Sequence, residues 1–295
     1  MKQPVFYGSG VALVTPMHPD GSVYYEEFER LVDDQICRGS DALIVCGTTG
    51  ESATLTAQEH LELFRRAVDV SHGRVPVIAG TGSNDTAHAV DLSIHAANCG
   101  VDALLLVTPY YNKTSQEGLV QHFTTIADAA QLPILLYNIP SRTGLALKEE
   151  TAAVLARNQW IRGLKEASGS FAYAAELQSI CDLPLYAGND TDILAILAVG
   201  GHGVISVAAN LVPELVFRLC AAWRCGDTAC AKKLQLELMP LCKALFCEVN
   251  PMPIKYAMQR VGWKTGPCRL PLWELSKDKK RQIDKVLQKY ELISP

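Results

Sequence analysis

The sequence has no apolar run that approaches the roughly 18 residues needed to cross a membrane. Its longest apolar runs, such as Ala103–Val107 and Pro133–Leu136, have the length of a strand. The apolar stretch near the N-terminus soon meets glycines and Pro16, which is atypical of a signal peptide. We therefore expect a cytoplasmic protein that does not associate with membranes.

The sequence also lacks an excess of positive charge. Its 27 Lys and Arg residues are balanced by 31 Asp and Glu residues, for a net charge of −4. Proteins that bind nucleic acid or an anionic membrane surface usually carry a basic surplus, so neither partner is expected. With 48% apolar and 20% charged residues, the chain is also not an intrinsically disordered one.

Ten cysteines are present, but none forms a Cys-x-x-Cys pair and no two of the seven histidines are four residues apart. Most cysteines lie in apolar segments, such as Cys46 and Cys99. Cysteine without metal or disulfide spacing behaves as a small apolar residue. We therefore predict reduced core thiols and no metal site.

Short apolar runs alternate with amphipathic stretches along most of the chain. Eight runs of strand length are each followed by a helical pattern, which predicts an α/β protein with a (β/α)8 TIM barrel. A doubly wound sheet is the alternative, but eight units favour a closed barrel. The runs begin near Gly10, Ala42, Val75, Ala103, Ile134, Ile161, Pro184 and Gly203.

The pattern predicts two domains, a catalytic barrel over residues 1–226 and a C-terminal helical domain over 227–295. The second part contains helical patterns without strands, punctuated by proline and glycine, and could pack on the barrel or form an oligomer contact. Three helix starts are marked by their sequence: Thr56 with Glu59 forms a capping box, and Asn84 and Ser115 are expected N-caps.

Lys165 is the strongest catalytic candidate, because a barrel carries its active site at the C-terminal ends of its strands. The two-residue strand period places Lys165 toward the barrel interior and Leu164 toward the helices. A desolvated lysine has a lowered pKa, and its neutral amine can form a Schiff base with a ketone. The alternatives are a lysine whose ammonium reaches solvent and a structural ion pair.

Four further residues follow neighbouring strands. Tyr137 could transfer the protons of imine formation, or simply fill the barrel. Thr48 and Thr49 lie in a glycine-flanked turn suited to a small carboxylate or a proton relay, although the turn alone could explain them. Arg142 could bind a substrate carboxylate through two hydrogen bonds, or be a solvated loop residue.

Three motifs together resemble the dihydrodipicolinate synthase family. They are Gly47-Thr48-Thr49-Gly50-Glu51-Ser52-Ala53-Thr54-Leu55, Tyr137-Asn138-Ile139-Pro140-Ser141-Arg142-Thr143-Gly144 and Gly163-Leu164-Lys165-Glu166-Ala167-Ser168-Gly169. The likeness runs from about Gly8 to Val261. It implies that Lys165 forms an imine with pyruvate, which becomes an enamine and adds to L-aspartate 4-semialdehyde. Cyclisation then gives 4-hydroxy-tetrahydrodipicolinate, in lysine (diaminopimelate) biosynthesis.

The resemblance also implies a role for each site residue. Tyr137 would donate and accept protons in a relay with Thr48 and Tyr111, and Tyr111 would come from the neighbouring subunit of a homotetramer, a dimer of dimers. Arg142 would bind the carboxylate of the aldehyde. Neither pyridoxal phosphate nor a metal would be needed, because the imine is the electron sink. Pyruvate would be bound by Thr49 and Ile205, with Gly188 nearby.

Two alternative functions are compatible with the same barrel. N-acetylneuraminate lyases share the lysine and tyrosine, but they lack the Ser-Arg-Thr-Gly that contains Arg142 and resemble Gly-Ser-Thr-Gly-Glu where Thr48 stands here. A catalytically silent barrel should have lost Lys165, Tyr137 or the relay, and all are present.

Weak feedback inhibition by lysine is a further expectation from the resemblance. Four positions keep the pattern of lysine-binding relatives, whereas Ala57 replaces a histidine and His88 replaces a glutamate of the lysine-sensitive ones. A histidine offers no carboxylate to a lysine ammonium. The four retained positions are Ser52, Ala53, Asn84 and Tyr110.

Overall fold

The computed structural model describes residues 2–294, and eight parallel strands form a closed barrel within them. Each strand pairs with the next, and β8 pairs with β1, so the predicted (β/α)8 barrel is confirmed. The strands are β1 (Gly8–Ala12), β2 (Ala42–Val45), β3 (Val77–Gly80), β4 (Ala103–Val107), β5 (Ile134–Asn138), β6 (Ile161–Glu166), β7 (Leu185–Ala187) and β8 (Gly203–Ser206).

Helices alternate with the strands and then continue without them. Those within the barrel are α1 (Tyr25–Cys37), α2 (Ala57–Ser71), α3 (Thr86–Asn98), α4 (Gln116–Ala130), α5 (Pro140–Thr143), α6 (Glu149–Leu155), α7 (Phe171–Ile180), α8 (Ile193–Ala198) and α9 (Pro213–Arg224). Three more follow, α10 (Thr228–Leu245), α11 (Met252–Arg260) and α12 (Lys277–Lys289). The helical C-terminal part is thus confirmed, while its division from the barrel at residue 226 stays a prediction.

The strands bury both of their faces, which explains why they read as continuous apolar runs. One set of side chains fills the barrel interior, including Ile78, Leu105 and Tyr186. The alternate set, including Leu104 and Leu164, packs against the surrounding helices. Alternation along each strand therefore decides which residues can reach the interior of the barrel.

Two of the three predicted helix starts are confirmed. The Thr56 side chain accepts a hydrogen bond from the Glu59 amide in a complete capping box, and the Ser115 side chain accepts one from the Gly118 amide at the start of α4. The prediction for Asn84 is wrong, because Asp85 is the N-cap of α3 and accepts from the Ala87 amide at 2.9 Å. Asn and Asp are equally good N-caps, so local preference does not distinguish these neighbours.

The cysteines are free thiols, but fewer lie in the core than predicted. Cys46, Cys220 and Cys242 are buried, whereas Cys37 and Cys225 are exposed and the other five are intermediate. Cys37 ends α1 and Cys225 follows the last residue of α9, so neither belongs to the buried face of its helix. No helix within residues 2–294 is both long enough and apolar enough to span a membrane.

Candidate active site

A cavity of about 550 Å³ opens near the C-terminal ends of β2 to β5, where a barrel is expected to carry its active site. Its wall contains three of the predicted site residues, Thr48, Tyr137 and Arg142. The same cavity continues along Ser52, Ala53, Ala57, His88 and Tyr110. Thr48, Tyr137 and Arg142 therefore share one continuous space with most of the predicted lysine-binding positions.

Lys165 lies inside the barrel, as the strand period predicts. It is 6% exposed, and β6 places it directly beside Tyr137 of β5. Its Nζ atom is 4.2 Å from the centroid of the Tyr137 ring. Burial lowers the pKa of Lys165 to about 7. The negative charge of Asp190 opposes this decrease, and the positive charge of Arg142 adds to it. A substantial fraction of this amine is therefore unprotonated at neutral pH.

Tyr137 is buried, and its phenol is protonated at neutral pH. Burial raises the pKa of Tyr137 to about 12, while the Arg142 charge and a hydrogen bond with the Thr48 side chain act to lower it. A neutral phenol beside an amine can donate a proton to an oxygen that leaves during imine formation. Thr48, Tyr137 and Lys165 are thus brought together.

Thr49 is held by a residue from the C-terminal part of the chain. Its hydroxyl accepts a hydrogen bond from Asn250 Nδ2 at 3.0 Å, and Thr49 is buried. The turn itself is closed by the Gly50 amide, which donates to the Gly47 carbonyl at 3.0 Å. The two neighbouring threonines therefore have different surroundings, one on the cavity and one in a buried polar contact.

Arg142 lies in the single-turn helix α5, where the sequence predicted a loop. Gly144 ends this helix with a φ of 66°, a conformation that favours glycine. The exposed Arg142 side chain lines the cavity, and its Nη2 donates to the Asn250 carbonyl at 3.2 Å. The guanidinium has further donors that remain available to a carboxylate in the cavity.

Ile205 and Gly188 form part of the packing around the barrel interior. Ile205 is fully buried in the interior cluster and pairs with Gly10 of β1. The Gly188 amide donates to the Glu166 carbonyl at 2.7 Å. A Cβ atom at Gly188 would lie 2.6 Å from Ala167 Cβ, so only glycine permits this close approach of β6 and β7.

The fold of a single chain does not bring Tyr111 to the other predicted catalytic residues. Its side chain is 91% exposed, and its backbone adopts a φ of 69°. Its predicted function in a neighbouring subunit stays a prediction.

Two residues of the site were missed by sequence reasoning. Asn250, which precedes α11, links Thr49 to Arg142 and lines the cavity. Asp190, which follows β7, is the other, and its negative charge acts to raise the pKa of Lys165. Asn250 follows no strand, since it lies in the helical C-terminal part of the sequence, so the strand pattern gives no indication of it.

Asp190 organises the end of β8 as well. Its carboxylate accepts hydrogen bonds from Ser206 Oγ at 2.5 Å and from the Val207 and Ala208 amides at 3.0 Å each. Burial raises the pKa of Asp190, and these three donors oppose that effect. Among residues 2–294, no three His, Cys, Asp or Glu side chains gather where they could hold a metal ion.

The fold and the site define a class of protein. A buried lysine with a lowered pKa beside a tyrosine, at the mouth of a (β/α)8 barrel, is typical of lyases of the class I aldolase type. The dihydrodipicolinate synthetase family matches residues 5–290. The chain belongs to this family.

Individual relatives agree with that assignment. The chain is 48% identical over 293 residues to a 4-hydroxy-tetrahydrodipicolinate synthase of Thermoanaerobacter sp. (strain X514), covering 98% of each protein. It is similar to dihydrodipicolinate synthase from Cyanidioschyzon merolae with lysine bound, with 40% identity, a TM-score of 0.96, and coverage of 99% and 100%. A monomeric dihydrodipicolinate synthase variant is 38% identical, with a TM-score of 0.95 and 98% coverage of both chains.

Proposed function

We propose that this chain catalyses the reaction of its family through a Schiff base between pyruvate and Lys165. The enzyme is a lyase of lysine biosynthesis that condenses pyruvate with L-aspartate 4-semialdehyde to 4-hydroxy-tetrahydrodipicolinate. The observation that carries the Schiff base is Lys165 itself, buried beside Tyr137 with a pKa lowered to about 7.

In the first half of the reaction, the neutral amine of Lys165 attacks the keto carbon of pyruvate. Tyr137 donates a proton to the oxygen, and the carbinolamine loses water to give the imine. The Thr48 hydroxyl, which hydrogen-bonds Tyr137, returns the proton along the relay. No cofactor is required, because the protonated imine accepts the electron pair that the next step releases.

In the second half, the methyl group of the bound pyruvate loses a proton to the relay of Tyr137 and Thr48, and the protonated imine becomes an enamine. The enamine carbon forms a new bond to the aldehyde carbon of aspartate 4-semialdehyde, whose oxygen takes up a proton from the same relay. The amino group of that substrate then attacks the imine carbon, closes the ring and releases Lys165. The catalytic cycle as a whole therefore begins and ends with the free amine of Lys165.

The substrate contacts divide between two parts of the site. Thr49 and Ile205 would bind pyruvate close to Lys165, with Gly188 allowing the strand ends to approach. Arg142, at the outer edge of the cavity, would bind the carboxylate of the aldehyde substrate through charge-assisted hydrogen bonds. The exposed position of Arg142 supports a role with the substrate that enters second.

Tyr111 would complete the relay from a neighbouring subunit of a homotetramer in the cytoplasm. Its 91% exposure supports a partner contact. Mixing inactive Tyr111→Phe chains with inactive Lys165→Ala chains tests this directly. Restored activity in hybrid oligomers is expected, and no restoration with verified subunit exchange would place Tyr111 in its own site.

The activity is tested by a coupled condensation assay with pyruvate and aspartate 4-semialdehyde, run beside cleavage of N-acetylneuraminate. Condensation is expected to be efficient and cleavage undetectable. The reverse result would favour the lyase that shares the lysine and tyrosine, and inactivity in both assays would contradict an enzymatic role.

A further inference from the structure

The segment that carries Thr48 continues into a strained residue. Glu51 has a φ of 59°, which is uncommon for a residue with a side chain. Its amide donates to the Thr48 carbonyl at 3.2 Å, so the two residues belong to one tight turn. A residue keeps such a conformation only where surrounding contacts fix it. The contacts of the Glu51 side chain therefore bear directly on where Thr48 lies.

Glu51 is held by a lysine from the C-terminal part of the chain. Lys255 Nζ lies 2.7 Å from Glu51 Oε1, and the two side chains are only 2% and 1% exposed. The same ammonium donates to the carbonyls of Thr15 at 3.1 Å and Pro267 at 2.7 Å. Its three N–H groups thus have three acceptors.

The second oxygen of the Glu51 carboxylate is satisfied too. Glu51 Oε2 accepts from the Arg269 amide at 2.8 Å. The Thr15 hydroxyl in turn donates to the Gly50 carbonyl at 2.7 Å, inside the turn. This buried pair therefore joins the segment after β1, the turn after β2, helix α11 and the segment before α12.

Stability alone is a weak reason for this arrangement. A buried ion pair often contributes no more stability than apolar side chains of similar size, because both charges are removed from water. What the hydrogen-bonded ion pair provides is a defined geometry, because each hydrogen bond is favourable only in a narrow range of directions. A turn that must hold a hydroxyl against Tyr137 needs this property more than it needs added stability.

We propose that Lys255 and Glu51 are positioning residues that hold Thr48 against Tyr137, so that the C-terminal helices complete the proton relay. The inference rests on the proposed function. It assigns to this part of the chain a role in turnover that is separate from any role in subunit contacts.

A double-mutant cycle on kcat tests the inference. The variant Glu51→Gln/Lys255→Met removes both charges at similar volume, and we expect kcat to fall about 10- to 100-fold, as for a catalytic group displaced by about 1 Å. Thr48→Val should lower the wild-type kcat by a similar factor. Added to the double variant, Thr48→Val should cost less than about threefold more, because residues that act through one another are not additive.

The matched control is Asp284→Asn. Asp284 accepts from Arg260 Nε at 2.8 Å and from the Tyr256 hydroxyl, both on the helix that carries Lys255, but these contacts lie toward α12. In this background kcat should stay within about twofold of wild type, and Thr48→Val should keep its full effect.

Circular dichroism checks that each variant is folded. Borohydride trapping of pyruvate, followed to completion, checks that Lys165 can still form the imine. If the double variant does not fold, the cycle is run on Glu51→Gln, which keeps the volume and an acceptor for Lys255. Additive losses, or an unchanged kcat without the pair, would overturn the inference alone. A wild type that never traps pyruvate at Lys165 would overturn the proposed function as well.

Discussion

Two lysines within residues 2–294 are deeply buried, and their surroundings are opposite. Lys255 is surrounded by a carboxylate and two carbonyl oxygens at 2.7 to 3.1 Å. The Nζ atom of Lys165 makes no hydrogen bond to any residue between 2 and 294, and it faces the ring of Tyr137. Both lie near the C-terminal ends of barrel strands. Lys255 is fixed in an ion pair, whereas the amine of Lys165 is available to react.

The comparison shows that burial alone does not make a lysine reactive. Removal from water disfavours the charged amine, and nearby oxygens or carboxylates can restore it. Around Lys165 burial prevails, so the pKa is lowered to about 7. Around Lys255 the oxygens hold an ion pair, which stabilises a geometry rather than a nucleophile.

The largest expected effect is the loss of the reactive lysine. Pyruvate with borohydride should add one reduced pyruvate per chain, mapped by mass spectrometry to Lys165 and absent from Lys255. Lys165→Ala should abolish labelling and lower condensation at least about 10⁴-fold, as for other covalent nucleophiles. Labelling at Lys255, or persistence of labelling in Lys165→Ala, would reverse the assignment of the two lysines.

Two buried tyrosines of the barrel interior allow a matched test of the same contrast. Tyr137→Phe should lower kcat about 10²- to 10⁴-fold, because a proton donor is lost. The Tyr186 hydroxyl instead donates to the Phe6 carbonyl at 2.8 Å and accepts from the Phe6 amide at 3.2 Å.

Tyr186→Phe should therefore lower the free energy of unfolding by about 1–3 kcal/mol, through buried groups left unpaired, and leave kcat within about twofold. Denaturant unfolding and the condensation assay measure the two quantities. Equal kinetic losses in both variants would mean that Tyr137 only fills the barrel.

Arg142→Ala should separate the two substrates. Loss of a charge-assisted contact to the aldehyde carboxylate is expected to cost about 2–4 kcal/mol, or about 30- to 1000-fold in kcat/KM for that substrate. Imine formation with pyruvate, measured by borohydride trapping, should survive. Equal losses for both substrates would indicate that Arg142 is structural, for example through its bond to the Asn250 carbonyl.

The rate of imine formation should depend on pH in the direction set by the lowered pKa of Lys165. Only the unprotonated amine attacks, so the rate should rise about tenfold per pH unit below about 7 and level off above it. Asp190→Asn removes a charge that raises this pKa, so its midpoint should lie lower. A midpoint near pH 10 would show that Lys165 resembles an exposed lysine.

The smallest expected effect is that of added lysine. Glu51 is the one carboxylate among the described residues lining the cavity, and it is paired with Lys255, while His88 and Ala57 offer no negative charge to a lysine ammonium. Loss of one charged contact corresponds to about 10- to 150-fold weaker binding. A lysine titration of the condensation rate should show little inhibition, and strong inhibition below millimolar lysine would contradict the prediction.

Much of the barrel and the core of the site could be predicted from the sequence. Strand alternation alone indicates that Lys165 faces inward and Leu164 outward, and consecutive strands of a barrel are neighbours, which brings Tyr137 beside Lys165. These are local properties, because each depends on a strand and its successor. The same holds for the capping box of Thr56, whose partners are three residues apart.

Only the tertiary structure decided the contacts between residues that are far apart in the sequence. The contact of Asn250 with Thr49 joins residues 201 positions apart, and that of Lys255 with Glu51 joins residues 204 positions apart. No periodicity relates such residues, since the packing of the C-terminal helices on the barrel determines which of their polar groups reach the site. The sequence by itself thus determined which lysine enters the barrel, and only the tertiary structure decided which buried lysine would meet a carboxylate.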